Sequence, residues 1–217
     1  MKRLDLMTAA ELARLSYIGP SVLPPLKDRN TKGGAQAYLL RDDVLVIPGT
    51  NEPSDWSDYN LKAFLATGAQ VGWSGINPGI AAARWHFGFA LHALQVLIFL
   101  EQRRPSFIIG HSLGAASAQI LGLHFQVPTV TFAAPRPAYG ATPIPGEGWM
   151  MNYVHTDDVI GLILGEGAGF RRIGSVRGLI PATATGSVHN MAQYKAAVAK
   201  RITERPSETH WPPLAQV

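Results

Sequence analysis

The stretch Phe107-Ile108-Ile109-Gly110-His111-Ser112-Leu113-Gly114-Ala115-Ala116-Ser117-Ala118 joins a short apolar run to a run of small, helix-favouring residues. Phe107 to Ile109, bounded by Pro105 on one side and glycine on the other, predicts a buried strand. The alanines after Gly114 predict a helix. Between them lies G-x-S-x-G, the pattern of a sharp strand-to-helix turn. There a side chain at either glycine would collide with a neighbouring element, while Ser112 is pushed out with its hydroxyl exposed. Five residues of this kind are modest evidence alone; the strand before and the helix after make the pattern specific.

Outward from that turn the same alternation continues. The helix should run to about residue 125, followed by strands at 129–133 and 150–154, a late hairpin of 170–173 with 176–180, and a helix at 191–202. Upstream, 37–40 and 44–47 read as two strands joined by the polar turn Arg41, Asp42 and Asp43, and 87–103 reads as a core helix. Leu4, Met7, Leu12 and Leu15 suggest a short amphipathic helix at the start, and 19–34 reads as a loop. Strands alternating with helices imply an α/β fold, a mostly parallel central sheet with helices on both faces. In such sheets ligands bind at the carboxyl ends of the strands.

The chain has 217 residues, 47% apolar and 16% charged, which suits a single compact domain with a substantial core. It contains no cysteine, which excludes disulfides, thiolate metal sites and cysteine nucleophiles. The formal charge of +4 is not gathered into a dense block or a nucleic-acid-binding pattern, so no nucleic-acid partner is expected. The surplus lies late: Arg171, Arg172, Arg177, Lys195, Lys200, Arg201 and Arg205 face only Glu204 over that stretch, which could favour an anionic surface. The apolar run 87–100 is too short for a transmembrane segment, and the start lacks a signal-peptide core, so the expected address is the cytoplasm by default, with leaderless export as the alternative. Residues 206–217 are rich in proline and read as a flexible tail.

A serine hydroxyl is a weak nucleophile until a histidine takes its proton, and that histidine needs a carboxylate to fix its tautomer. On folds with this turn the order along the chain is serine, acid, histidine. Downstream of Ser112 the aspartates are Asp157 and Asp158, just past the 150–154 strand, and the histidines beyond them are His189 and His210. His189 opens the last helix and is the better base, while His111 should face away from Ser112 and act structurally. The developing oxyanion needs preorganised donors. Leu113 N–H, at the positive end of the helix dipole, is one candidate. Thr50, in the Pro48-Gly49-Thr50 turn after the 44–47 strand, is the other.

These residues carry a family resemblance: the chain resembles a class 3 (fungal-type) lipase of the α/β-hydrolase superfamily. The match spans most of the chain. Leu15-Ser16-Tyr17 is similar to the family's first helix, Ile47-Pro48-Gly49-Thr50 with Asp55-Trp56-Ser57-Asp58 to its oxyanion loop and the element after it, and His86-Phe87-Gly88-Phe89 to the opening of the helix before the nucleophile strand. Thr131 to Arg136 resembles the strand after the elbow, and His155-Thr156-Asp157-Asp158-Val159-Ile160 the acid segment. In that segment the second acidic position is the catalytic one, so the resemblance implies Asp158 rather than Asp157. The chain departs from the pattern at Pro48, where arginine is common, at Ala115, where glycine is frequent, and at Gly161, where proline is usual; none removes a catalytic group.

The resemblance also places a lid over 60–84. Leu61, Phe64 and Leu65 have helical spacing there, and Val71, Trp73, Ile76 and Ile80 sit among glycines, so Phe64, Leu65 and Trp73 are candidates to contact an acyl chain. The expectation is a serine ester hydrolase with Ser112, Asp158 and His189 as triad and Thr50 and Leu113 as oxyanion donors. It would need no metal and no organic cofactor, and would act on an acyl-ester lipid or small ester with transient contact to a lipid interface. Two alternatives are a phospholipase A1-type acyl hydrolase and, from a different class, a non-catalytic interaction module on the same scaffold.

Overall fold

In the computed structural model of the protein, residues 1–31, 34–49, 69–70, 72, 75–158, 160, 168–182 and 188–213 are described. In chain order the elements are β1 (Leu4–Asp5), α1 (Leu6–Leu15), β2 (Leu26–Asn30), β3 (Ala37–Leu40), β4 (Val44–Ile47), α2 (Pro78–Ala82), β5 (Arg84–Trp85), α3 (Phe87–Leu100), β6 (Phe107–His111), α4 (Leu113–Phe125), β7 (Thr129–Phe132), β8 (Ala138–Tyr139), β9 (Met150–His155), β10 (Phe170–Arg171), β11 (Ser175–Leu179), α5 (Met191–Glu204) and β12 (His210–Trp211). Among the described residues, seven strands form the central sheet in the order β11-β9-β7-β6-β4-β3-β2. Every neighbouring pair from β4 to β11 is parallel, and β2-β3-β4 is an antiparallel meander at one edge. The parallel strands therefore end together, and the segments that leave β4, β6 and β9 meet along one edge of the sheet.

Strand periodicity sorts the core into two layers. Leu39, Leu45, Ile47 and Ile108 pack with α3, α4 and Ile80 of α2, whereas Tyr38, Leu40, Val44, Val46, Phe107 and Ile109 pack with α1 and α5. Helix α4 lies between the sheet and α3, and its small residues allow the close approach. A Cβ at Gly122 would come within 2.3 Å of Thr129 Oγ1. Across the α3–α4 seam, His92 Nδ1 pairs with Ser117 Oγ at 2.7 Å, and burial pulls the imidazole down to about 4, so it is held neutral.

Several local expectations change. Helix α3 stops at Leu100, short of residue 103. Glu101 takes a positive φ of 53°, and the Arg103 guanidinium turns back onto the Leu100 and Phe99 carbonyls that the helix leaves unpaired. The expected loop at 19–34 contains the edge strand β2, whose alternation of half-buried and exposed residues is hidden by its charges.

The late hairpin does not form. β10 pairs with β8 in a small antiparallel sheet with β5, and β11 joins β9 in parallel. Arg171 reaches Glu147 and the Gly140 carbonyl, the chain turns at Gly174 with φ 80°, and buried Asn152 on β9 donates to the Ile173 and Ser175 carbonyls. Those contacts direct the two segments to different sheets.

The tail is tied down through residue 213. Trp211 pairs with Leu4 and His210 with Asp5, Trp211 is buried, and its indole donates to the Trp149 carbonyl; residues 214–217 lie outside the described residues. The late cations are largely answered by carboxylates far from them in sequence or just beyond them. Arg171 pairs with Glu147, Lys195 with Glu11, and Arg177, Arg201 and Arg205 gather around Glu208. No helix among the described residues is long and apolar enough to cross a membrane.

Candidate active site

Strand β6 ends at His111, and Ser112 takes φ 56° and ψ −125° before Leu113 opens α4. Both glycines of the turn are needed by contact. A Cβ at Gly114 would lie 2.2 Å from the Ile47 carbonyl oxygen and 2.3 Å from that of Pro48; one at Gly110 would lie 2.6 Å from the Gly114 oxygen. Under 3.0 Å to backbone there is nothing flexible to yield, so the turn and the end of β4 are pressed together through Gly114. The positive φ of Ser112, unusual for a residue with a side chain, is fixed by its N–H donating to the Phe132 carbonyl at 3.1 Å and by its carbonyl accepting from Ala115 at 2.9 Å.

Ser112, the histidine His189 that opens the last helix and Asp158, the acid that the resemblance implies, come together. Ser112 Oγ lies 2.8 Å from His189 Nε2, and His189 Nδ1 lies 2.9 and 3.1 Å from the Asp158 carboxylate oxygens. The arrangement that satisfies all three has the serine donating to Nε2 and Nδ1–H donating to the carboxylate. Asp158 is fully buried and Ser112 is 3% exposed, while the His189 side chain keeps 24% of its surface open. Asp157, by contrast, is exposed and accepts from the Thr156 hydroxyl. Asp158 also accepts from the Tyr194 hydroxyl at 2.8 Å and from the Ile160 N–H at 3.0 Å. Burial alone would raise this carboxyl, but the His189, Tyr194 and Ile160 hydrogen bonds outweigh it and hold the group below the usual carboxylate range.

His189 itself is placed from its backbone. Asn190 caps α5 immediately after it, accepting from the Ala192 N–H, and the His189 carbonyl lies 3.0 Å from His111 Nε2. The other ring nitrogen of His111 lies 2.5 Å from the Tyr17 hydroxyl, which in turn accepts from the Gly49 N–H at 2.7 Å. His111 is buried, and its imidazole is pulled down to about 3, chiefly by burial and then by the proximity of the His189 ring. His86 caps α3 and is likewise pulled down to about 4 by burial.

Leu113 N–H is the first of α4, where no intrahelical acceptor exists and the helix dipole is positive. Thr50, Phe64, Leu65 and Trp73 lie outside the described residues, as does much of 60–84. Within the remainder of that segment, Ile80 is fully buried, and the Trp85 indole just beyond it donates to the Ile80 carbonyl at 2.9 Å. Sequence reasoning passed over Tyr194 and the bridging position of Tyr17. For Tyr194 a signal exists: Met191, Tyr194 and Val198 form the buried face of α5, and a tyrosine there needs a partner for its hydroxyl.

No family model matches the sequence, and no curated protein matches it. Solved structures do. The chain is similar to the lipase of Rhizopus microsporus var. chinensis (16% identity over 82% of this chain and 77% of that one, TM-score 0.57). It is similar to lipase II of Rhizopus niveus (16%, 82% and 83%, 0.55) and to the Rhizomucor miehei triacylglyceride lipase (16%, 80% and 79%, 0.54). At such identity the likeness is one of fold, and the chain has the α/β-hydrolase fold, with the fungal class 3 lipases as its structural neighbours.

Proposed function

We propose that the protein is a serine ester hydrolase acting on acyl esters through an acyl-enzyme intermediate. The observation that carries this reading is the unbroken hydrogen-bond chain from Ser112 Oγ through His189 to buried Asp158, on a turn whose glycines admit no side chain. Ser112 attacks the acyl carbonyl while His189 Nε2 takes its proton, and Asp158 steadies the imidazolium through Nδ1–H. The same proton passes to the leaving alcohol. Water, deprotonated by His189, then releases the acid and restores Ser112. The oxyanion formed in each half is held by Leu113 N–H together with Thr50, which follows Gly49 in the loop leaving β4. The similarity to triacylglycerol lipases supports an acyl-ester lipid or a smaller ester as substrate.

A fluorophosphonate probe tests the reading directly. Intact protein should be labelled and Ser112→Ala should not, and absence of labelling in well-folded protein would leave a non-catalytic module on this scaffold as the answer. A chain-length series of p-nitrophenyl esters run beside a phospholipid then assigns the substrate. Preference for the phospholipid would make it a phospholipase A1-type enzyme.

A further inference from the structure

We propose that Tyr17 is a positioning residue that ties Gly49, just past β4, to the backbone of His189 through His111; the inference rests on the ester-hydrolase reading above. A proton count fixes the direction of the chain. The Tyr17 hydroxyl holds one proton, and the Gly49 N–H already occupies it as an acceptor at 2.7 Å. The His189 carbonyl can only accept, so neutral His111 carries its proton on Nε2, 3.0 Å from that oxygen, and its bare Nδ1, 2.5 Å from the Tyr17 oxygen, takes the Tyr17 proton. Each group has one role, and reversing any link leaves two donors or two acceptors facing each other. Burial keeps both members in this state, since it raises the Tyr17 phenol well above its usual value and keeps His111 neutral.

The two ends of the chain are the parts of the site that catalysis needs in register. At one end, the Gly49 N–H belongs to the peptide that Pro48 shares, and the Pro48 carbonyl is pressed against Gly114. A Cβ at Gly49 would lie 2.7 Å from both the Tyr17 hydroxyl and Ser112 Cβ, so the loop has no spare room beside the nucleophile. With its N–H committed to Tyr17, Gly49 is held beside Ser112. At the other end, Asp158 directs the His189 ring while His111 holds its carbonyl, giving the base two anchors. Tyr17 sits just past α1, so the helix that covers one face of the sheet also sets the spacing between the base and Gly49.

Tyr17→Phe keeps the ring, including its edge-to-face contact with His111, and removes only the hydroxyl. Turnover of a soluble p-nitrophenyl ester, counted per fluorophosphonate-labelled site, should fall about 10- to 100-fold with KM within about twofold. His111→Leu, which offers neither the acceptor that Tyr17 needs nor the donor that meets the His189 carbonyl, should show a similar loss, and the double variant should be little worse than either single one. Unchanged turnover per labelled site in either single variant, or multiplicative losses in the double, overturns the inference; a drop in unfolding temperature alone does so too. Failure of the unaltered protein to label would instead strike at the ester-hydrolase reading.

Discussion

Tyr194 donates its hydroxyl proton to Asp158 Oδ2 at 2.8 Å, the same oxygen that His189 Nδ1 approaches at 2.9 Å. The two donors share one oxygen of a fully buried carboxylate, while the other oxygen accepts from Ile160. The Tyr194 hydroxyl also accepts from the His155 N–H at 3.0 Å, so it joins the end of β9 to the acid. Tyr194→Phe removes a hydrogen bond to a charged group and strands a buried N–H. It should cost about 1–3 kcal/mol of stability and lower turnover roughly tenfold. Urea denaturation and ester hydrolysis measured on the same preparation check both, and unchanged hydrolysis would show that His189 and Ile160 suffice to orient Asp158.

The two adjacent aspartates should separate cleanly. Asp158→Asn places an amide against His189 Nδ1, which favours the wrong tautomer, and should reduce kcat by about 10³- to 10⁴-fold. Asp157 is exposed and bonded to its neighbour Thr156, so Asp157→Asn should stay within about twofold. Equal losses, or a larger one at Asp157, would mean that the acid has been misassigned.

How much of this was legible beforehand depends on the range of the interaction. Gly110 and Gly114 announce the turn because its geometry is local, the strand runs 44–47 and 107–109 are visible because a strand buried on both faces is apolar throughout, and 129–133 is visible because Thr129, Val130 and Thr131 are β-branched. The charged residues of β2 conceal a strand, since an edge position tolerates Lys27, Asp28 and Arg29 where an interior one would not. β10 and β11 look like a hairpin because both are short and extended. What separates them is the Asn152 amide and the Arg171–Glu147 pair, contacts that no local pattern encodes. Tyr17 belongs with these: its two partners lie 32 and 94 positions away.

The elbow glycines give a steric prediction with an internal control. Gly114→Ala would drive a Cβ into the Ile47 and Pro48 carbonyls, and the backbone cannot yield without moving β4, so the variant should fail to fold or lose labelling by a fluorophosphonate. Gly178→Ala on β11 meets nothing within 4 Å, and its effect should be within about 0.5 kcal/mol. Circular dichroism melts of the two side by side distinguish a specific clash from a general intolerance of substitution.

The buried histidines make stability depend on pH in a stated direction. His92, His86 and His111 are pulled down to about 4, 4 and 3 by burial, whereas in the unfolded chain histidine titrates near 6.5. Between those values the unfolded chain binds protons that the folded one refuses, so stability rises with pH across the window and is lost as pH falls from about 6.5 towards 4. For His92 alone, 1% exposed, the loss is on the order of 3 kcal/mol once the pH is well below its folded value. The carboxylates held low, Asp158, Glu147 and Glu208 among them, withdraw their own contribution as the pH falls below the ordinary carboxylate range, so the two sets act in succession and in the same direction. Thermal midpoints should be nearly level from pH 8 to 7, fall steeply between 6.5 and 4, and fall further below 4. A midpoint that holds steady from pH 7 to 4 would mean that these imidazoles are protonated in the folded protein, and the neutral His111 on which the Tyr17 chain depends would go with them.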